Sequence, residues 1–195
     1  MYLSTMSLIA KRDKDAIFES EFLPYADALY NYGYQLTFSE DDAKDLVQDT
    51  LMKSYRFMDS YTEGTNAKAW LFKILKNGFI NEYRRKSRTP NRVDFDEIIK
   101  YRDDEGPVES EKVDTRQEVF QNLMGDEVTK AINELPLEFR MVIVLCDIEE
   151  FSYEEIAAIA DIPVGTVRSR LHRARNMLKD KLRNYALKNG YKENR

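Results

Sequence analysis

The sequence predicts an all-α protein, two small helical domains joined by a flexible acidic linker, and three observations carry that prediction. The 195 residues are 43% hydrophobic and 33% charged with only 7 Gly and 5 Pro, a balance typical of helix-rich globular chains. Apolar and polar residues nowhere alternate long enough for a sheet, whereas apolar spacings of three and four recur. Residues 94–118 hold ten acidic and four basic side chains around a Gly-Pro pair, with no sustained apolar period. The domains expected are residues 1–93, a linker at 94–123, and residues 124–195.

Composition also narrows the function. No stretch approaches the roughly 18 apolar residues of a membrane span, and Met1 to Asp13 lack the order of a signal peptide, so a cytoplasmic protein is expected. One cysteine, Cys146, and one histidine, His172, cannot build a zinc site of the usual kind, so neither metal nor cofactor is expected. Cys146 lies in an apolar run, where a buried packing thiol is the simplest reading. Convergent catalytic groups and a phosphate loop are missing, which predicts no enzyme and no small-molecule substrate. The net charge is -5, yet the linker's ten acids against four bases already give -6, so the flanking segments are together slightly basic.

In the first domain, residues 42–57 read as a helix with Ala43, Leu46, Val47, Thr50, Ser54 and Phe57 on its core face. Asp45, Gln48, Asp49, Met52 and Arg56 project together on the other side; a solvated face and a docking face both fit that pattern. Residues 66–86 read as a second helix with Trp70, Leu71, Ile74, Leu75 and Gly78 buried, and with Lys73, Asn77, Ile80 and Arg84 following a second stripe. Cations, an amide and an exposed apolar group suit the phosphates and unstacked bases of a single strand. Arg84, Arg85, Lys86, Arg88 and Arg92 then place five basic residues in nine positions.

In the second domain, Ser152 and Glu155 form a capping box that starts a helix. Asp161, Ile162 and Pro163 end it, with Pro163 inside the first turn of the next. Val167, Leu171, Ala174 and Leu178 face the core of that next helix. At about 100° per residue the opposite side shows Gly165, Ser169, His172 and Asn176, flanked by Thr166, Arg168 and Arg173. Arginine can pair bidentately with guanine while small polar groups meet phosphates or base edges, so the pair of helices fits a DNA-reading helix-turn-helix. An amphipathic helix with a merely solvated basic face, and a plain surface imidazole at His172, are the bland alternatives. Arg168, Arg170, Arg173, Arg175, Lys179, Lys181 and Arg183 fall within sixteen residues opposed only by Asp180, which predicts a broad basic surface.

Residues 135–182, densest at Ser152 to Ala157 and Pro163 to Arg175, resemble region four of the extracytoplasmic-function (ECF) sigma factors. The resemblance implies recognition of an upstream, minus-thirty-five promoter element by Thr166, Arg168, Ser169, His172 and Arg173. The stretch DAKDLVQDTLMKSYR resembles region two of the same family, where it docks on the clamp helices of the polymerase beta-prime subunit; Asp45, Gln48, Asp49, Met52 and Arg56 carry that role over. Residues 59–88 are similar to the family's minus-ten segments, with the loop Tyr61 to Asn66 in the place that captures a flipped base and Lys73, Asn77, Ile80 and Arg84 beside it. Departures are Glu150, where the family usually has Gly, Asp161 in the turn, and Asn81, where Asp is common. The implied partners are core RNA polymerase, through the clamp helices and the beta flap, promoter DNA, and an anti-sigma protein. A conventional helix-turn-helix regulator would share the second domain but need an effector or oligomerisation module in place of the docking helix.

Overall fold

The computed structural model describes residues 14–86 and 126–190, and among them every regular element is helical. The acidic stretch 94–123, Arg88, Arg92 and the side chains of Arg84 and Lys86 lie outside the described residues. The chain divides into two compact units, built in the main from the helices before and the helices after the acidic stretch.

The first unit opens with a helical segment over 14–25 whose i to i+5 turn at Phe18–Phe22 tightens into a 3-10 turn at Leu23–Tyr25. Pro24, which has no N–H to give, sits at the start of that tighter turn. Helix α1 (Ala26–Thr37) ends on Phe38 in the left-handed region, φ 53°, and Ser39 then caps α2 (Glu40–Arg56) by accepting from the Asp42 amide at 3.3 Å. Glu40, Asp41 and Asp42 in the first turn of α2 and Lys53 and Arg56 in the last complement its dipole. Helix α3 (Ala67–Lys86) begins where the Asn66 carboxamide oxygen accepts from the Ala69 amide at 2.9 Å.

Leu29, Tyr32 and Leu36 of α1, Ala43 and Leu46 of α2, and Leu71, Phe72, Leu75 and Phe79 of α3 form the core. Gly78 lets α2 and α3 approach: a Cβ there would stand 3.1 Å from the Leu46 Cδ1 atom.

Two expectations for this unit are corrected. Phe57 does not join the core face of α2; it caps the helix with φ -101° and ψ 17° and is 53% exposed, with the Arg56 guanidinium 5.6 Å from its ring centroid. Ile80 is not on an open stripe but 6% exposed. Helix α3 packs against both α1 and α2, so it buries more than one apolar stripe, Ile80 included. Trp70 and Ile74 are half-buried at the edge of that packing.

The second unit comprises α4 (Asp126–Asn133), α5 (Leu137–Ile143), a wide turn at Val144–Ile148, α6 (Tyr153–Ala160) and α7 (Val164–Lys188). Arg140, 4% exposed, turns its guanidinium onto the carbonyls of Asn133 and Leu135 at 2.9 and 3.0 Å and so satisfies the end of α4. The capping box at α6 is complete: Ser152 Oγ accepts from the Glu155 amide at 3.3 Å, and Glu155 accepts from the Ser152 amide at 2.8 Å. Asp161 ends α6 at φ 60°. Pro163 stands one residue earlier than expected, as the N-cap of α7, where ψ 145° keeps it extended while its carbonyl accepts from Thr166 and Val167. Glu150 adopts φ 61°, the conformation that glycine reaches without strain. Cys146 is half-buried rather than buried, and burial together with Asp147 pushes its thiol pKa up.

Candidate nucleic-acid interface and docking face

Helix α7 is 25 residues long, and its inner side is set by Val167, Leu171 and Ala174, all buried, with Leu178 half-buried. The periodicity that buries these side chains turns Arg168, Ser169, His172, Arg173 and Asn176 outward, all exposed, with Thr166 half-buried at the start. Ser169 Oγ donates to the Thr166 carbonyl at 2.9 Å, and the Asn176 amide lies 3.1 Å from His172 Nε2. The face therefore offers two arginines and a set of small polar groups along two to three turns, a composition able to meet a duplex groove.

The broad basic surface expected from seven cations is narrower in the structure. Arg170 is only 7% exposed and pairs with Glu138 of α5 at 3.2 Å. Arg175 makes bonds of 2.7 and 3.3 Å to the two carboxylate oxygens of Asp147, and those bonds, then one to Tyr153, raise its pKa further. Lys181 pairs with Glu134 at 2.6 Å, which holds the Glu134 carboxyl below its ordinary value. These acids belong to other elements, so the local scarcity of i,i+4 partners gave no sign of them. Arg170 could have been placed inside from its register alone, three residues after Val167 and four before Ala174.

On α2 the outward side chains Asp45, Gln48, Asp49, Met52 and Arg56 are all exposed, Met52 by 65%. Asp49 accepts from Lys53 at 2.5 Å, one turn on, so the face presents an ion pair as well as acids. A charged rim around an exposed thioether can set a partner's orientation and adapt to its pocket.

Lys73 and Asn77 are exposed on α3, without Ile80, which is buried. The segment Tyr61 to Asn66 before α3 exposes Thr62, Glu63, Gly64, Thr65 and Asn66. Tyr61 is half-buried, with ring centroids 5.1 Å from Phe22 and 5.2 Å from Trp70. Its phenol donates to the Glu21 carboxylate and lies 3.2 Å from the Thr65 carbonyl; burial first, then the Glu21 bond, pushes its pKa up to about 12. Sequence reasoning missed Glu21, which lies 40 residues from Tyr61 in the chain.

Among the described residues no group of three or more His, Cys, Asp or Glu side chains could hold a metal ion, and no helix is long and apolar enough to cross a membrane.

Two family patterns match in order: Sigma-70 region 2 over residues 22–89 and Sigma-70, region 4 over 125–178. The ECF RNA polymerase sigma factor SigE of Mycolicibacterium smegmatis is 37% identical over 158 residues, 81% of this chain and 58% of that protein, so the chain spans less than two thirds of that relative's length. The ECF RNA polymerase sigma-E factor of Salmonella typhimurium is 36% identical over 141 residues, 72% of this chain and 74% of that one. The sigma factor RpoE of Bartonella quintana, solved with the anti-sigma factor NepR, superposes with a TM-score of 0.66 at 37% identity, covering 85% of this chain and 96% of that one.

Proposed function

This chain belongs to the ECF RNA polymerase sigma factors, and from that membership we propose that it carries the polymerase core to promoters and opens them. One observation carries the reading: a single chain presents both an exposed acidic and methionine-bearing helix face and a basic helix-turn-helix face, within regions two and four of the family in their family order. Residues 1–93 dock on the polymerase and take the downstream element, 94–123 tether, and 124–195 read the upstream element.

Asp45, Gln48, Asp49, Met52 and Arg56 meet the clamp helices of the beta-prime subunit, and the second unit also meets the beta flap. Charge complementarity orients this encounter, so it weakens as salt rises. Arg168, Ser169, His172 and Arg173, with Thr166 at the helix start, face the upstream duplex. Lys73, Asn77 and Arg84 hold strand phosphates while Tyr61 to Asn66 take an unstacked base, a role from which buried Ile80 is withdrawn. No ATP is needed: contacts made only to the exposed base offset the few kcal/mol of unstacking and shift the duplex equilibrium. About 30 residues at roughly 3.3 Å each would span nearly 100 Å if fully extended.

An anti-sigma protein that masks these surfaces is the expected regulator, as NepR is the partner in the solved relative's complex. The chain works in the cytoplasm, with no cofactor or catalytic group of its own.

Transcription by sigma-free core polymerase on fragmented genomic DNA, with and without the chain, tests the proposal. New starts that share spaced upstream and downstream elements are expected. Absence of core binding would instead favour a conventional helix-turn-helix regulator.

A further inference from the structure

The leading segment over 14–25 makes its polar and aromatic contacts in a narrow zone, the end of α2, the loop that follows it and the first turn of α3. Lys14 pairs with Asp59 at 2.6 Å, Asp15 accepts from the Tyr55 phenol at 2.7 Å, and Phe18 meets the Tyr55 ring edge-on at 5.5 Å. One turn on, Phe22, fully buried, packs edge-on against Tyr61 and at 5.4 Å from Trp70. Glu21, next to Phe22 in the chain, reaches the loop itself. One carboxylate oxygen accepts from the Tyr61 phenol, and both stand 3.3 Å from the Gly64 amide nitrogen.

Gly64 gives this contact its meaning. Its φ of +76° is left-handed, and no neighbour would crowd a Cβ there, so conformation rather than space demands the glycine. The peptide turned by that φ presents its N–H inward to Glu21 and leaves the surrounding side chains exposed. The loop's own bonds, Thr65 Oγ1 to the Thr62 carbonyl at 2.7 Å and the Ala67 amide to the Thr65 carbonyl at 2.8 Å, close it locally. Glu21 joins it to the segment before α1 by hydrogen bonds at both Tyr61 and Gly64. A loop held in one shape meets a base without first losing its freedom, whereas a loose one binds in proportion to the fraction of time it is correctly shaped.

We propose that Glu21 is a positioning residue for strand capture, holding the 61–66 loop in its base-receiving shape through the Tyr61 phenol and the Gly64 amide. The inference rests on the proposed reading of that loop. It assigns to the segment before α1 a part in promoter opening that neither docking face nor recognition helix supplies.

The test uses holoenzyme and two readouts: affinity for core polymerase, and affinity for a fluorescent single strand carrying the downstream element of a promoter mapped as above. Glu21→Ala is expected to weaken strand binding about tenfold, the loss of hydrogen bonds to a charged group, with core affinity unchanged. Glu21→Gln, which keeps an acceptor, is expected to recover part of the loss. Tyr61→Phe removes the phenol and keeps the ring; combined with Glu21→Ala it should add little on strand affinity, because both changes break one contact.

Asn66→Ser keeps an acceptor for the α3 cap and removes only the carboxamide, so it probes the loop's contact with the strand independently. If Asn66→Ser weakens strand binding and Glu21→Ala does not, the loop reading stands and the role of Glu21 is overturned. If neither does, the loop reading falls and takes the inference with it. Should Glu21→Ala fail to fold, the Glu21→Gln and Tyr61→Phe pair decides: losses that add fully overturn the coupling, and losses that do not add support it.

Discussion

In the second unit a 25-residue helix carries the outward side chains and is tied at three levels, Arg170 to Glu138, Arg175 to Asp147 and Lys181 to Glu134. In the first unit the segment proposed to take a base is a short loop, fixed by one carboxylate and two aromatic neighbours. Helix α7 has its backbone bonds satisfied internally, so its ion pairs set only its position and rotation. The loop has few such bonds, and the same kind of acid sets its shape. A rigid ruler suits an intact duplex, whose groove has one geometry, while a shaped loop suits a base already out of the stack.

The contrast can be broken most severely at Arg140. Its buried guanidinium closes the end of α4, against which α7 packs, so Arg140→Met should cost about 3 kcal/mol by stranding two carbonyls. Urea unfolding followed by hydrogen exchange in α4 and α7 measures it, since the single tryptophan, Trp70, reports on the other unit. A loss below about 1 kcal/mol would mean that water satisfies those carbonyls.

Next comes the outward face. Arg173→Ala should weaken upstream-element binding by about 1 to 3 kcal/mol when the contact is to a base. Arg175→Ala, which removes a side chain already engaged with Asp147, should lose well under 1 kcal/mol of sequence preference. Titrating both variants on matched and scrambled duplexes separates them, and equal losses would erase the distinction between the two sides of α7. Asp49→Arg reverses charge on the docking face and puts a cation beside Lys53; a loss of about 1 to 2 kcal/mol in core affinity is expected, with thermal unfolding lowered only slightly by the lost i,i+4 pair.

Glu150→Gly should raise stability by about 1 kcal/mol, the strain of a non-glycine residue at φ 61°, offset in part by the entropy of an added glycine. Glu134 gives the smallest effect. Its folded-state pKa lies below the unfolded one because Lys181 donates to it, so the pair's contribution is present above the ordinary carboxylate pKa. It fades as pH falls through the folded value. Unfolding of the wild type and of Glu134→Gln should therefore differ slightly at neutral pH and converge as pH falls below the ordinary carboxylate range.

Much of this was legible in the sequence where the information is local. The Ser152 capping box, the outward sets on α2 and α7 and the helix-breaking turn before Pro163 depend on neighbours within about four residues, and the structure contains them. Glu150 stood out as a replacement for a usual glycine, and its positive φ gives the reason that glycine suits the site. What failed depends on packing from afar. The stripe that holds Lys73 and Asn77 predicts an open Ile80, yet a helix between two neighbours buries more than one stripe. Phe57 was given a helical angle although the helix ends at Arg56. The acids that meet Arg170, Arg175 and Lys181, and Glu21 beneath the loop, lie on other elements, and no local spacing announces them.

The three ion pairs along α7 have a consequence for how salt would govern its proposed grip on DNA. Each cation that meets a phosphate releases condensed counterions, steepening the fall of the logarithmic binding constant with the logarithm of salt by about 0.9. Arg170 is buried against Glu138 and meets no phosphate, while exposed Arg175 and Lys181 would each have to exchange an acid for one. If the second unit binds DNA as proposed, its slope will be shallower, by up to about 2.7, than seven free basic residues in a row would give, and its hold on unrelated DNA correspondingly looser.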